Sequence, residues 1–369
     1  MRVLMLGNGF DLYHNLLTYY DDFMTIAEYL SKKYNTIFYE EFNEINIYSE
    51  LDDLSKTNKV IREKLLTYED AYKETKINID EYVRFLDKLH SNCWFKYFID
   101  VKNRNGWVAL ENQVAEVLRE FRQSNPRGID RFLDAIKEKY NFNDAFFKHI
   151  KNYSFAGEEN DNYIFEKYND FVEILKLYLK IFVDNVLPQI SNHYVFYNNY
   201  LKNNDYVLTF NYTNTYAELY ESKPDTIHVH GKLDNEIVLG VNSDEYDDAG
   251  INDNRFIKYK KYYQRITKRT LDALVTLFTY VNSTAEQNSL FVIGHSLDVS
   301  DKDIITVIFD MFDVIKIYFH DDSALDSYVK NLKLIFGAEE LSKMTFSQKI
   351  IFRKLPPNEY MKVNTNDQL

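Results

Sequence analysis

The first fourteen residues constrain the chain more than any other stretch. Arg2-Val3-Leu4-Met5-Leu6 is a short apolar run that breaks at Gly7-Asn8-Gly9-Phe10-Asp11, and Leu12, Leu16, Leu17 and Tyr20 follow at roughly helical spacing. A buried strand, a glycine turn and a helix form the opening unit of a nucleotide-binding α/β fold. Glycine permits the turn and lets a phosphate approach the backbone, and the amides of the following helix point their positive dipole end toward it. The third glycine of G-x-G-x-x-G falls on Leu12, and Asp11 puts an acid where a bare pyrophosphate prefers none. That acid suits a helix cap or a ribose hydroxyl instead. A lone G-x-G after a strand is more often a plain turn than a cofactor site, so its weight depends on the rest of the chain.

From about Asp21 to Leu201 the pattern is helical, with almost no glycine or proline. Tyr82, Phe85, Leu86 and Leu89 share one face, Leu110, Val114, Val117, Leu118 and Phe121 another. Asn125-Pro126-Arg127-Gly128 reads as a turn, and a longer helix carrying Phe171, Ile174, Leu175, Tyr178, Ile181 and Phe182 stops near Pro188. After residue 204 the period changes. Tyr206–Phe210, Thr226–His230, Ile237–Gly240, Leu290–Ile293 and Val314–Tyr318 read as strands, with helices after 210, around 262–281 and after 301. Strands alternating with helices predict a parallel, Rossmann-like sheet covered on both faces. The simplest organisation is one α/β domain over 1–369, with 24–203 as a mainly helical insertion after the first strand–helix unit.

Ligands of an open parallel sheet bind at the carboxyl ends of its strands. Four such ends carry small, amide, hydroxyl or imidazole groups: Gly7-Asn8-Gly9, Thr209-Phe210-Asn211-Tyr212-Thr213, His228-Val229-His230-Gly231 and Gly294-His295-Ser296-Leu297-Asp298. Each has a plain structural reading. Asn211 can hold its own loop, and His228 and His230, alternating on one strand, would face the same side as buried core histidines. The functional reading gives His230 the role of general base or ribose contact, since its free pKa lies near working pH. Asn211, with a donor and an acceptor, would orient a water or a ribose hydroxyl. Gly294-His295-Ser296-Leu297-Asp298 approaches a G-x-S-x-G nucleophile elbow but ends on Asp298, and the only downstream histidine, His320, stands before Asp321 and Asp322 in the wrong order for a triad. His228 and His230 could share a metal, but no carboxylate has a diagnostic spacing, so no metal is expected.

With Lys+Arg 44 against Asp+Glu 57, the net charge of -13 argues against broad, charge-driven binding to nucleic acid or an anionic membrane. Cys93 is the only cysteine, which excludes an internal disulfide and a cysteine metal cluster and points to a reducing cytoplasm. No apolar window is long enough to span a bilayer, and the first residues lack the pattern of a signal peptide. Against this acidic background Lys258, Lys260, Lys261, Arg265, Lys268 and Arg269 form the densest positive run. On a helix, Lys261, Arg265, Lys268 and Arg269 fall at spacings of three or four and form one stripe. It would serve an acidic partner or a neighbouring subunit.

Taken together, these segments resemble the AbiH family of bacterial phage-abortive-infection proteins. The resemblance rests on Gly7-Asn8-Gly9-Phe10-Asp11-Leu12 with Thr18-Tyr19-Tyr20-Asp21-Asp22-Phe23, on Trp107 with Glu111, on Thr209-Phe210-Asn211-Tyr212-Thr213, on His230-Gly231 and on Gly294-His295-Ser296-Leu297-Asp298. It implies an anti-phage abortive-infection effector. The family in turn looks distantly similar to the sirtuin-type NAD-binding fold, and that similarity implies an NAD glycohydrolase. His230 would then be the base and Asn211 the ribose- or water-orienting group. Gly7, Asn8, Gly9, Asp11, Thr209, Gly231, Gly294, Ser296 and Asp298 would line the NAD site. The chain departs from the sirtuin pattern at Thr213, where an acid is usual, and it lacks the cysteines of a zinc module, so protein deacylation is not expected. The alternative is a non-catalytic nucleotide-sensing or protein-interaction module, working as a homo-oligomer or with a defence partner.

Overall fold

The structure, a computed structural model, describes residues 1–33, 45–105, 110–123, 158–191, 193–194, 204–220, 225–241, 254–283, 287–355 and 360–361. Its centre is a six-stranded sheet of β1 (Arg2–Leu6), β2 (Tyr206–Thr209), β3 (Asp225–His228), β4 (Ser289–Ile293), β5 (Val314–Phe319) and β6 (Ile350–Lys354). Every pairing is parallel, and in space the strands run β3-β2-β1-β4-β5-β6. That is the Rossmann-like doubly wound order, with its switch point between β1 and β4. In β1, Val3 and Met5 face one apolar cluster and Leu4 and Leu6 the other. Burial on both faces is why the run is apolar throughout rather than alternating.

One face is covered by α12 (Asp272–Ser283), α13 (Lys302–Asp310), α14 (Asp322–Phe336) and α15 (Ala338–Phe346), through residues such as Leu277, Ile305, Leu332 and Met344. The other is covered by Phe10 of α1 (Asn8–Tyr13) and Tyr216 of α10 (Thr215–Leu219). Between α1 and β2 lie α2 (Tyr20–Lys33), α3 (Ile47–Thr57), α4 (Lys59–Thr67), α5 (Glu69–Glu74), α6 (Ile79–Ser91), α7 (Cys93–Asn105), α8 (Leu110–Gln123) and α9 (Glu158–Leu179). They share a core distinct from those of the sheet, with Trp94, Phe98, Tyr168 and Phe171 fully buried. Phe182, just beyond α9, and later residues such as Leu239 and Tyr259 complete it. Beyond α9 the chain tightens through Leu187–Gln189 around Pro188 and leaves the helical segment. Among the described residues no helix is long and apolar enough to cross a membrane.

Two expectations need correction, and one strand was not expected. The helix after the glycine turn stops at Tyr13, where Asn15 takes φ 59°, so Leu16 and Leu17 sit in a loop before α2. The loop is fixed by side chains from the helical segment: Tyr68 donates to the His14 carbonyl, Lys64 Nζ to Leu16 (3.0 Å) and Tyr178 to Leu17 (3.0 Å). Ile237–Gly240 is buried but not a strand. Its carbonyls accept from side chains instead of a neighbouring strand, Ile237 from Lys268, Val238 from Tyr212, and Leu239 from Gln264 and Tyr168. Finally, β6 carries no clean alternation in Ile350-Ile351-Phe352-Arg353-Lys354, and it is an edge strand half open to solvent. The expected turn at 125–128 and Trp107 lie outside the described residues.

Candidate functional site

The loops after β1 and β4 meet at the switch point, where an open α/β sheet offers its crevice. They meet closely. Gly7 N donates to the Ile293 carbonyl at 3.2 Å and Gly9 N to the Gly294 carbonyl at 2.7 Å. A Cβ on Gly9 would lie 2.7 Å from that oxygen, and one on Gly294, at φ +67°, would lie 2.3 Å from Phe10 N. These glycines are needed for backbone-on-backbone packing whatever else they hold. Asn8 is exposed, and its Nδ2 donates to the Thr18 carbonyl at 3.1 Å.

Behind this contact lies a polar cluster with no cation among the described residues. Asp11, only 1% exposed, accepts from Asn211 Nδ2 on Oδ1 at 2.9 Å and from Thr213 Oγ1 on Oδ2 at 2.6 Å. Asn211 Nδ2 also donates to the Gly7 carbonyl at 3.1 Å, and two acceptors fix which end of the amide faces them. Its Oδ1 has no partner among the described residues. The Thr209 hydroxyl accepts from Asn211 N at 3.1 Å, and His228 Nδ1 donates to the Asn211 carbonyl at 3.0 Å. Burial pushes the Asp11 carboxyl up to about 7, against hydrogen bonds from Thr213, Thr215 and Asn211, with Asp184 adding like-charge repulsion. A cavity of about 10 Å³ beside Asp11, Asn211 and His228 has room for one water at most.

Across Phe210 lies a second cluster, dense in charge. The Phe210 ring sits 5.1 Å from His230 and 4.1 Å from His295, centroid to centroid. His230 Nε2 is 3.0 Å from Asp301 Oδ1, which also receives Lys261 Nζ at 3.1 Å. Arg265 Nη1 lies 3.6 Å from the same oxygen and 3.3 Å from His230 Nε2, and its Nη2 donates to Asp303. The proton is assigned to Nε2 because the carboxylate 3.0 Å away can only accept, whereas Arg265, 3.3 Å away, has Asp301 and Asp303 as other acceptors; Nδ1 is then the lone-pair acceptor. Nδ1 has no partner among the described residues. Burial lowers the His230 pKa, with Asp301 opposing, so the ring is neutral at neutral pH. Asp301 is held well below the carboxylate range: burial alone would raise it, but Lys261 and His230 overcome that. His295 is pushed down to about 4 by burial, and its Nδ1 accepts from Leu297 N at 2.9 Å.

Asp301 is delivered by a short turn, Val299–Asp301, capped by Asp298, whose carboxylate accepts from Ser300 N at 2.9 Å. Lys261 and Arg265 come from α11 (Lys261–Thr267), one turn apart on one face. The helical segment reaches in as well: Tyr20 OH donates to Glu111 Oε1 at 3.1 Å, and that oxygen is 3.9 Å from Lys261 Nζ.

The structure thus brings Gly7, Gly9, Asp11, Thr209, Asn211, His230, Gly231 and Gly294 to the strand ends, in two neighbouring clusters. Gly231, at φ +77°, turns the chain with its N bonded to the His228 carbonyl. Ser296 and Asp298 are at the rim and exposed. His228 and His230 do not share a face, because β3 ends at His228. His320 is an exposed partner of Asp321, far from serving a serine triad. Among the described residues no group of His, Cys, Asp and Glu could hold a metal.

The positive stripe is also corrected. Lys261 is 4% and Arg265 1% exposed, turned inward on Asp301 and Asp303 instead of outward on a partner. Two acids just after the fourth strand-end motif, Asp301 and Asp303, were the signal for it. Likewise, Thr213 does not leave Asn211 without an acid, because Asp11 supplies one from a distant position in the chain. A family model described as bacteriophage abortive infection AbiH matches residues 3–320. Neither a curated protein nor a solved structure matches the chain.

Proposed function

The chain belongs to the AbiH family of bacteriophage abortive infection proteins, and from that premise we propose that its defence chemistry is hydrolysis of the nicotinamide–ribose bond of NAD at the ends of β1 to β4. The observation that carries this reading is the state of His230. Its Nε2 stands 3.0 Å from Asp301, the ring is neutral, and Nδ1, with no partner among the described residues, is placed to accept a proton once Nε2–H serves Asp301. A water attacks C1′ of the ribose as nicotinamide departs with the bonding electrons, and His230 Nδ1 takes the proton. The products are ADP-ribose, nicotinamide and one proton. Asn211 Oδ1, unpartnered among the described residues, accepts from a ribose hydroxyl or the water, while Asp11 and Gly7 hold its amide nitrogen. Gly9, Gly231, Gly294, Thr209, Asn8, Ser296 and Asp298 form the rim of the same crevice. NAD is here a substrate, and the reaction belongs in the cytoplasm.

The test is direct. Purified protein incubated with NAD should release free nicotinamide, and folded His230→Ala should release none above background. Failure of the folded wild type to consume NAD would end the reading.

One observation favours a second reading, a non-catalytic nucleotide-sensing or protein-interaction module. The Gly9 amide that a pyrophosphate would need is already bonded to Gly294. Under that reading His230→Ala abolishes protection from phage while NAD levels in infected cells stay the same with either protein.

A further inference from the structure

A second cavity lies away from the strand ends. It measures about 530 Å³ and lies between α9 and the far side of α11. Drug-sized ligand sites run from about 300 to 1,000 Å³. On α11, Lys261 and Arg265 face Asp301, and Tyr263, Gln264 and Thr267 face this cavity, as the turn of a helix requires. The two sites are back to back on one helix.

Its walls divide by chemistry. Phe165 and Tyr263 are the aromatic part. Lys176, Lys258 and Lys268 are the cationic part. Lys258 is occupied, with Nζ donating to Asn162 at 2.8 Å and lying 5.6 Å from the centre of the Phe165 ring. Lys268 Nζ gives two of its three donors, to the Ile237 carbonyl at 2.7 Å and to Gln264 Oε1 at 3.2 Å. Lys176 has no partner among the described residues. Burial lowers the Lys268 pKa, Glu236 opposes, and the nearby positive charge of Lys176 lowers it further. Two ammonium groups therefore face one opening and repel each other. Of the two carboxylates in the wall, Glu173 pairs with Arg84 at 2.9 Å, and Glu236 is the one that offsets Lys268. An anion between Lys176 and Lys268 would relieve that repulsion.

We propose that this cavity binds a nucleoside monophosphate, with the phosphate between Lys176 and Lys268 and the base against Tyr263. The volume suits one nucleotide, the lysine pair suits a doubly charged phosphate, and an aromatic face suits a base of any sequence. The site is independent of NAD cleavage and stands or falls separately from it.

The test is calorimetric titration of the full-length protein with AMP, adenosine and inorganic phosphate. AMP should bind, and adenosine and phosphate should each bind at least about tenfold more weakly. Lys176→Glu, at a half-exposed and unpaired position, should weaken AMP by about tenfold or more with no change in thermal midpoint. Tyr263→Leu should weaken AMP and adenosine but not phosphate, and Asn211→Ala should leave AMP binding intact. Three results would overturn the proposal: no heat with AMP, phosphate alone binding as tightly as AMP, or affinity lost in Asn211→Ala and kept in Lys176→Glu. The last would put the nucleotide at the strand ends instead.

Discussion

Asp11 and Asp301 are the same side chain, both almost fully buried, on either side of Phe210, and their protons behave in opposite ways. Asp11 is pushed up to about 7, and Asp301 is held well below 3.8. Burial acts on both in the same direction. What differs is the company. Asp11 has hydroxyls, an amide and a distant like charge, while Asp301 has Lys261, Arg265 and His230. Neutral hydrogen bonds offset only part of a desolvation cost that a neighbouring cation reverses. The lesson for the site is a division of labour. The Asp301 side is built to keep charge and orient His230, and the Asp11 side is built to hold an amide in place.

Breaking the charged side should have the largest effect. Asp301→Ala leaves Lys261 and Arg265 buried with one carboxylate fewer, and it should cost about 3–5 kcal/mol in urea unfolding, along with all NAD cleavage. A loss below 1 kcal/mol would mean that water, not Asp301, satisfies those cations. Next, His230→Ala should reduce the rate of nicotinamide release by about 10²–10⁴-fold, with a much smaller change in the unfolding midpoint. Equal losses of rate and stability would return His230 to a structural role.

The uncharged side is best addressed by pH. The folded pKa of Asp11 lies above its unfolded value, so the folded state is favoured below pH 3.8 and loses stability as pH rises toward about 7. Asp301 works the other way, with its stabilisation present above its unfolded pKa and lost as pH falls below it. Asp11→Asn should therefore flatten the decline between pH 4 and 7 and raise stability at pH 8 by up to roughly 4 kcal/mol, about 1.4 kcal/mol for each pKa unit. If the slope persists in the variant, another buried acid carries it. Smallest of all, Asp298→Ala removes the cap of the turn that delivers Asp301 and should cost about 1 kcal/mol. It should raise the Michaelis constant only slightly and leave the pH slope from Asp11 untouched.

The sheet was largely legible in the sequence, because burial on both faces writes a strand as a run of Val, Ile, Leu and Phe bounded by glycine or polar turns. The exceptions follow the same physics. Ile237–Gly240 is as apolar as a strand, but apolarity reports burial and not pairing, and here the carbonyls pair with side chains. β6 was missed because an edge strand has one face in water and ends in Arg353-Lys354. At the site, glycines and single residues at strand ends were visible, since they sit next to the strands that position them. Partners were not. Asp11 with Asn211, and Arg265 with Asp303, are contacts between distant segments, and a lysine–arginine run looks the same on a surface as it does folded onto buried acids.

The placement of β1 also has a consequence for how the protein is made. Val3 pairs with Tyr206 and Arg2 with Ser289, so the first strand synthesised sits at the centre of the sheet and waits for both neighbours. At about 5–20 residues per second, the chain between Val3 and Tyr206 takes on the order of 10–40 s to emerge from the ribosome. During that interval Val3, Leu4, Met5 and Leu6 have no strand to pair with, while α2 to α9 have most of their core at hand and lack only later residues such as Leu233, Ile237, Leu239 and Tyr259. Most of the helical segment is therefore made beside an unfinished sheet, and Gly9 can meet Gly294 only once residue 294 has been synthesised, with β5, β6 and α13 to α15 still to follow.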